Sequence, residues 1–349
     1  MSRGVIAAYA ELLPVDDHTP RLSLGEGGTP CVESRVIGPR LGLGSLHLKL
    51  EGLNPTGSFK DRGMVVAVAR ALQAGATTLV CASTGNTSAS AAAYGARFGL
   101  RTAVVVPHGR VASGKLLQAQ VHGATVVAVD GGFDAALRIV RELATRPDVA
   151  LVNSVNPFRL EGQKTAAFEV VDDLGDAPDV LAIPVGNAGN ITAYWRGFRE
   201  YHGLGRCSHL PRMLGAQASG AAPLVRGRVV EHPYTVATAI RIGAPASWQG
   251  AVDARDESEG LIDAVDDSEI LAAQWRLAQE EGVFCEPASA ASVALLEKCV
   301  VSGAVAPGTH AVCVITGSGL KDPDAMSGRL TEPVTVTASA AEVAAALGL

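Results

Sequence analysis

TLVCASTGNTSASAAAYGARFGLRTAVVV, residues 78–106, decides the fold. It opens on a short apolar run (78–82) and turns through Ser83-Thr84-Gly85-Asn86-Thr87. An Ala/Ser-rich stretch of helical length follows, Thr87 to Phe98, and a second β-branched run closes it at 102–106. Two further runs, TVVAV (125–129) and VALVN (149–153), keep the same rhythm of about 24 residues. Helix-like segments at 113–122 and 133–144 fill the gaps. Short apolar runs alternating with helices predict βαβ units and a parallel sheet. A period of this size is one strand plus one helix, so no separate repeat family is needed. In such sheets ligands bind beyond the carboxyl ends of the strands, so chemistry belongs in the loops after each run.

Outward from this stretch the pattern continues. Toward the N-terminus, Val5 to Leu12 reads as a short helix, residues 24–30 as a Gly-rich loop and LHLKL (46–50) as a strand. Toward the C-terminus, VLAIPV (180–185), MLGAQA (213–218) and Ala311 to Ile315 read as strands. Ile191 to Tyr201 reads as a helix, as does 268–281 with Ser268 as its cap. Residues 238–248 are turn-rich and receive no chemical role, and the acidic patch 253–259 reads as a solvated face. VTVTASA (334–340) reads as a final strand before a short helix.

The chain has 349 residues, enough for two domains sharing a cleft. It is 48% hydrophobic yet 4% aromatic, with 39 glycines, which suits close helix–sheet packing and loops that approach a ligand. The net charge is −6 and there is no basic block, so neither nucleic acid nor an anionic membrane is an expected partner. No apolar run approaches the ~20 residues of a membrane span, and the N-terminus lacks the pattern of a signal peptide. Cys31, Cys81, Cys207, Cys285, Cys299 and Cys313 show no metal-site spacing and read as buried thiols of a reducing compartment, the cytoplasm. The histidines are scattered, so no metal is expected.

Residues 54–63, NPTGSFKDRG, carry the central candidate, Lys60. The Asn-Pro turn and the apolar run after it place Lys60 in the first turn of a helix, where the dipole disfavours a cation. That field lowers the amine's pKa and favours the neutral, nucleophilic form that an imine-forming lysine needs. The plain alternative is a solvated surface lysine. Four more loops lie at or beside strand ends. Ser83, Thr84, Asn86 and Thr87 form either a helix cap or an anion site. Asn153, Ser154 and Arg159 form either a polar turn or an anion pocket with Arg159 as a bidentate donor. Gly186-Asn187-Ala188-Gly189-Asn190, between a strand and a helix, is a recipe for holding phosphate on backbone N–H groups. Glu286 is either a cap and packing residue or a cofactor-side acceptor. Residues 109–116 approach a nucleotide P-loop, but Leu116 stands where its Ser/Thr hydroxyl must be. Lys115 could instead serve a mobile phosphate-facing loop.

Together these motifs resemble the pyridoxal-phosphate enzymes of the tryptophan-synthase-β type, and SFKDRG after NPTG is the form seen in threonine synthases. The resemblance covers nearly the whole chain. It implies the type II fold of these enzymes: α/β, two lobes of open twisted sheet with helices on both faces. The larger lobe is expected from 1–57 plus 151–349, and the smaller, mobile one from 58–150. It implies pyridoxal 5'-phosphate as cofactor. Lys60 would form the imine and move protons. Gly186, Asn187, Ala188, Gly189 and Asn190 would form the phosphate cup. Asn86 would contact the phenolic oxygen, and Thr316 the pyridine nitrogen. A hydroxyl there cannot keep that nitrogen protonated as an aspartate would, which weakens the ring as an electron sink. Ser83, Thr84 and Thr87 would hold the substrate carboxylate. Asn153, Ser154 and Arg159 would line the substrate-phosphate pocket. The implied reaction converts O-phospho-L-homoserine and water to L-threonine and phosphate, in a homodimer. Threonine or serine dehydratase on the same fold is the nearest rival, but it usually carries an all-glycine phosphate loop and needs no second anion pocket. A non-catalytic regulatory protein on this fold is a further rival, and an intact Lys60 argues against it.

Overall fold

The computed structural model describes residues 4–108, 113–329 and 332–349. The strands are β1 (Cys31–Glu33), β2 (Ser45–Leu50), β3 (Thr78–Ala82), β4 (Arg101–Pro107), β5 (Thr125–Val129), β6 (Val149–Leu151), β7 (Val180–Pro184), β8 (Arg212–Ala218), β9 (Leu261–Val265) and β10 (His310–Ile315). They form two sheets. The larger has the order β1-β2-β10-β7-β8-β9 and is parallel except for β1, which pairs antiparallel with β2. The smaller has the order β5-β4-β3-β6 and is parallel throughout.

The apolar runs of the central strands are buried on both faces because helices cover both. In β7, Val180 and Ala182 join one core with Ile270, Leu277 and Leu295, while Leu181 and Ile183 face the other way into a core with Phe168, Ile191 and Phe198. β10 alternates in the same sense, with Cys313 and Ile315 in the first core and Val312 and Val314 in the second. The smaller sheet repeats the arrangement: Leu79 and Cys81 pack toward Met64 and Tyr94, Val80 and Ala82 toward Ala136 and Val140. Full burial of each such aliphatic side chain contributes about 1.5–3 kcal/mol.

Helix Pro157–Leu174 joins the two sheets. Its start is specified locally: Asn156 accepts from Phe158 N–H, and Pro157 fills the first turn. Gly175 ends it at φ 83°. This helix crosses helix Lys60–Gln73 at two glycines. A Cβ on Gly162 would lie 2.1 Å from Arg62 O, and one on Gly63 would lie 2.4 Å from Arg159 O. Only backbone against backbone fits there.

Several sequence expectations need correction. VTVTASA pairs with no strand; the segment is exposed, and helix Ala340–Leu347 follows. The cap of helix Asp267–Glu281 is Asp266, in a capping box with Glu269, rather than Ser268. The acidic patch at 253–259 is a solvated face as expected, with Asp253, Asp256, Glu257 and Glu259 exposed, and most of it belongs to helix Trp248–Glu257. Strands β1 and β9 were not anticipated. Residues 109–112 of the loop assigned to phosphate lie outside the described residues, as does the side chain of Lys115, whose backbone belongs to helix Ser113–Val121. Among the described residues no helix is long and apolar enough to cross a membrane, and no group of His, Cys, Asp and Glu could hold a metal ion.

Candidate active site

Helix Lys60–Gln73 begins at the lysine itself. Backbone bonds tie the preceding segment to the end of β10: Phe59 N–H donates to Thr316 O and Ser318 N–H to Gly57 O, each at 3.0 Å. The Lys60 amine lies 4.2 Å from the centre of the Phe59 ring, on a half-buried side chain. Burial first, and the Arg159 guanidinium second, bring its pKa down to about 7, with Glu286 opposing. The amine's pKa is lowered, as the sequence led one to expect, but through burial and the neighbouring Arg159 cation rather than the helix dipole. An amine poised near neutrality can serve as nucleophile or base.

The two residues after Lys60 lock it in place, and neither was singled out in the sequence. Asp61 accepts from Thr56 N–H and Thr56 Oγ1 at 2.7 Å each, and from Ser90 Oγ at 2.6 Å. Arg62 is fully buried and pairs with Glu51 at 2.6 Å and Glu169 at 2.5 Å, while donating to Thr29 and Thr165. Glu169 also meets Lys49 at 3.0 Å. Burial pushes the Glu169 carboxyl up, but Arg62 and Lys49 outweigh it and hold the pKa at about 2.

The remaining candidates arrive in two pairs of neighbouring strand ends. In the larger sheet, β10 and β7 are adjacent. Thr316 follows β10, and residues 186–190 follow β7. Ala188 adopts the left-handed conformation (φ 64°) that turns the chain into helix Gly189–Gly203, whose first N–H groups have no partner within the helix. The turn-rich stretch 238–248 backs this loop: a Cβ on Gly186 would meet Ile240 Cα at 2.9 Å, and Ser247 N–H donates to Asn187 O at 3.1 Å. In the smaller sheet, β3 and β6 are adjacent. Ser83, Thr84, Asn86 and Thr87 follow β3 and are half-buried, as is Ser154 after β6.

Asn153 and Arg159 differ in what they leave free. Asn153 clamps the end of β3, accepting from Ala82 N–H at 2.9 Å and donating to Ala82 O at 2.8 Å. Its amide is largely spent on backbone, which makes it a clamp before it is a ligand. Arg159 is fully buried and gives only Nη1 to Val152 O, at 2.8 Å; Nε and Nη2 meet no acceptor. Burial brings its pKa down to about 10, against Cys81 and Asp61. A buried guanidinium with open donors is a receptor for an anion.

A sequence model of pyridoxal-phosphate dependent enzymes matches residues 22–317. The chain belongs to the pyridoxal-phosphate dependent enzyme family. It is 60% identical over 322 residues to a threonine synthase of Mycobacterium bovis, covering 92% of this chain and 89% of that protein. It is 59% identical over 322 residues to a threonine synthase of Halalkalibacterium halodurans, covering 92% of this chain and 90% of that one. The structure of maize serine racemase matches with a TM-score of 0.72 at 21% identity, over 83% of this chain and 88% of that one, a likeness of fold.

The residues present fit the family's cofactor. Both amide atoms of Asn190 are buried without a protein partner, beside the αL turn at Ala188 that opens a helix, and Ser58 Oγ, two positions before Lys60, is buried and unpartnered as well. Unsatisfied buried polar groups are costly, and a bound phosphate would accept from the donors among them, Ser58 Oγ–H and Asn190 Nδ2–H. On the other side of the site, Glu286 accepts from Asn86 Nδ2 and Thr316 Oγ1, each at 3.0 Å. Glu286 occupies the N-cap position of helix Pro287–Val301, yet its side chain caps nothing.

Proposed function

We propose that this enzyme carries out the threonine synthase reaction, converting O-phospho-L-homoserine and water to L-threonine and phosphate. The observation that carries the reading is Arg159: a buried cation with two open donors that lowers the pKa of Lys60. A dehydratase has no phosphate to place there. Identity of about 60% to threonine synthases over most of the chain supports the same reading.

Pyridoxal phosphate, when bound, supplies the electron sink for carbanions on the substrate. Lys60 would hold it and would move protons at the substrate's Cα and beyond. Residues 186–190 would receive its phosphate, Asn86 would contact its phenolic oxygen and Thr316 its ring nitrogen. Ser83, Thr84 and Thr87, with the first N–H groups of helix Asn86–Arg97, hold the substrate carboxylate. Arg159 and Ser154 receive the phosphate that leaves from Cγ, and Asn153 fixes the strand ends that present them. Two lobes close around this site, with 58–150 as the smaller and mobile one. The enzyme works as a cytoplasmic homodimer, in keeping with its free cysteines, all buried or half-buried.

The test is one incubation of the loaded protein with O-phospho-L-homoserine, following phosphate and identifying the amino acid. Equal amounts of phosphate and threonine are expected. Phosphate with 2-oxobutyrate would keep the elimination and reject the water addition. Ammonia from threonine or serine without phosphate release would make the enzyme a dehydratase.

A further inference from the structure

Glu286 is a buried acid to which the reaction above gives no task. Its two oxygens hold side chains that follow strands of different sheets: Asn86 after β3 and Thr316 after β10. The surrounding chain is shaped to admit it. A Cβ on Gly317 would lie 2.6 Å from the Glu286 carboxylate, and Glu286 N–H donates to Gly317 O at 3.0 Å. Ser289 Oγ accepts from Gly317 N–H at 3.0 Å and lies 2.9 Å from Thr316 Oγ1. With Thr316 Oγ1 donating to Glu286, the Ser289 hydroxyl is left to donate to Thr316 Oγ1 at 2.9 Å or to Gly317 O at 3.4 Å.

A hydroxyl has one hydrogen and two lone pairs. With its hydrogen given to Glu286, and at most one lone pair filled by Ser289, Thr316 has a lone pair to offer elsewhere. We infer that Glu286 is a positioning residue: by taking the Thr316 hydrogen it makes Thr316 an acceptor and raises the proton affinity of the cofactor's ring nitrogen. This rests on the reading of Thr316 as the residue at that nitrogen. It amends the expectation that a hydroxyl leaves the ring a weak sink, because here the hydroxyl is backed by a carboxylate. Burial raises the proton affinity of Glu286 itself, while Asn86, Thr316, Lys321 and Lys60 lower it. If Glu286 gains a proton, the polarity reverses and Thr316 becomes a donor.

The test uses holoenzyme loaded with pyridoxal phosphate labelled with 15N in the ring, and follows the ring-nitrogen resonance against pH. Glu286→Gln replaces one acceptor oxygen with an N–H donor. Its resonance is expected at the less protonated position, with a midpoint lower by about one pH unit or more. Its kcat is expected to fall ~10-fold with KM little changed, the pattern of a loss felt after binding. Glu286→Asp keeps the charge but not the reach, and should shift in the same direction by less; it carries the comparison if the Gln variant does not load. Resonances identical to wild type in both variants overturn the inference. Thr316→Val separates the two layers. If it leaves the resonance unmoved, the placement of Thr316 is wrong. If it moves the resonance and the Glu286 variants do not, only the role of Glu286 is lost.

Discussion

Gly162 and Gly63 meet where helix Pro157–Leu174 crosses helix Lys60–Gln73: a methyl group on Gly162 would lie 2.8 Å from Gly63 Cα and 2.1 Å from Arg62 O. The crossing sets how near Arg159 comes to Lys60, since each residue lies three positions from its helix's contact glycine. The pKa of Lys60 and the open donors of Arg159 both depend on that contact.

Gly162→Ala should therefore harm stability and site together. The obstacle is backbone, which cannot rotate away, so the cost is expected at about 1–3 kcal/mol or more. Urea unfolding and cofactor titration measure the two effects. An unchanged midpoint with full loading would mean the helices separate without consequence, and the crossing would not matter.

Lys60 makes the cofactor-free protein sensitive to pH in a stated direction. Its pKa falls from 10.5 to about 7 on folding. Between those values the unfolded chain binds more protons, so stability rises with pH across that window. Below about 7 the amine is charged in both states and the burial penalty is fully present. Lys60→Met should be more stable than wild type at pH 6.5, and the gap should close as pH approaches 10. A gap that does not vary with pH would show that the amine is not held near neutrality.

The central strands were legible because they are short, apolar and buried on both faces, and β3 matches the sequence reading residue for residue; β5 matches as well, although it is an exposed edge strand, because its run is apolar and β-branched. The lysine helix was legible from its turn and its apolar run. β9, LIDAV, was not, because an acid at its centre breaks the apolar run. The Arg62 network was hidden for another reason. A charged residue on a helix looks solvated until its partners are known, and Glu169 lies 107 positions away. Glu286 was singled out in the sequence, but separation hid its partners, Asn86 and Thr316, which lie 200 and 30 residues from it.

Arg62 and Glu169 should behave as one unit. Removing one member of a buried ion pair leaves the other uncompensated, and Arg62→Leu is expected to cost about 3–5 kcal/mol. The acid limb follows from the Glu169 carboxyl, held at about 2 against an ordinary 4.5. Its folded pKa is depressed, so its contribution is complete above 4.5 and is lost as pH falls toward 2. Glu169→Gln should flatten acid unfolding in that window. An unaltered acid transition would show that other carboxylates dominate it.

Arg159 offers the sharpest separation of substrate from cofactor. Nε and Nη2 are open, and they are proposed to take the substrate's phosphate while residues 186–190 take the cofactor's. Charge-assisted hydrogen bonds contribute about 1.5–3 kcal/mol each, so Arg159→Ala should raise KM for the phosphorylated substrate ~10–100-fold or more. Cofactor content should stay at wild-type level. Arg159→Lys should recover little, because an ammonium cannot reproduce two donors in one plane. Inorganic phosphate should compete with substrate in the wild type and not in Arg159→Ala. Loss of cofactor from Arg159→Ala, with KM unchanged in what remains loaded, would move Arg159 to the cofactor's side of the site and leave the substrate phosphate without its receptor.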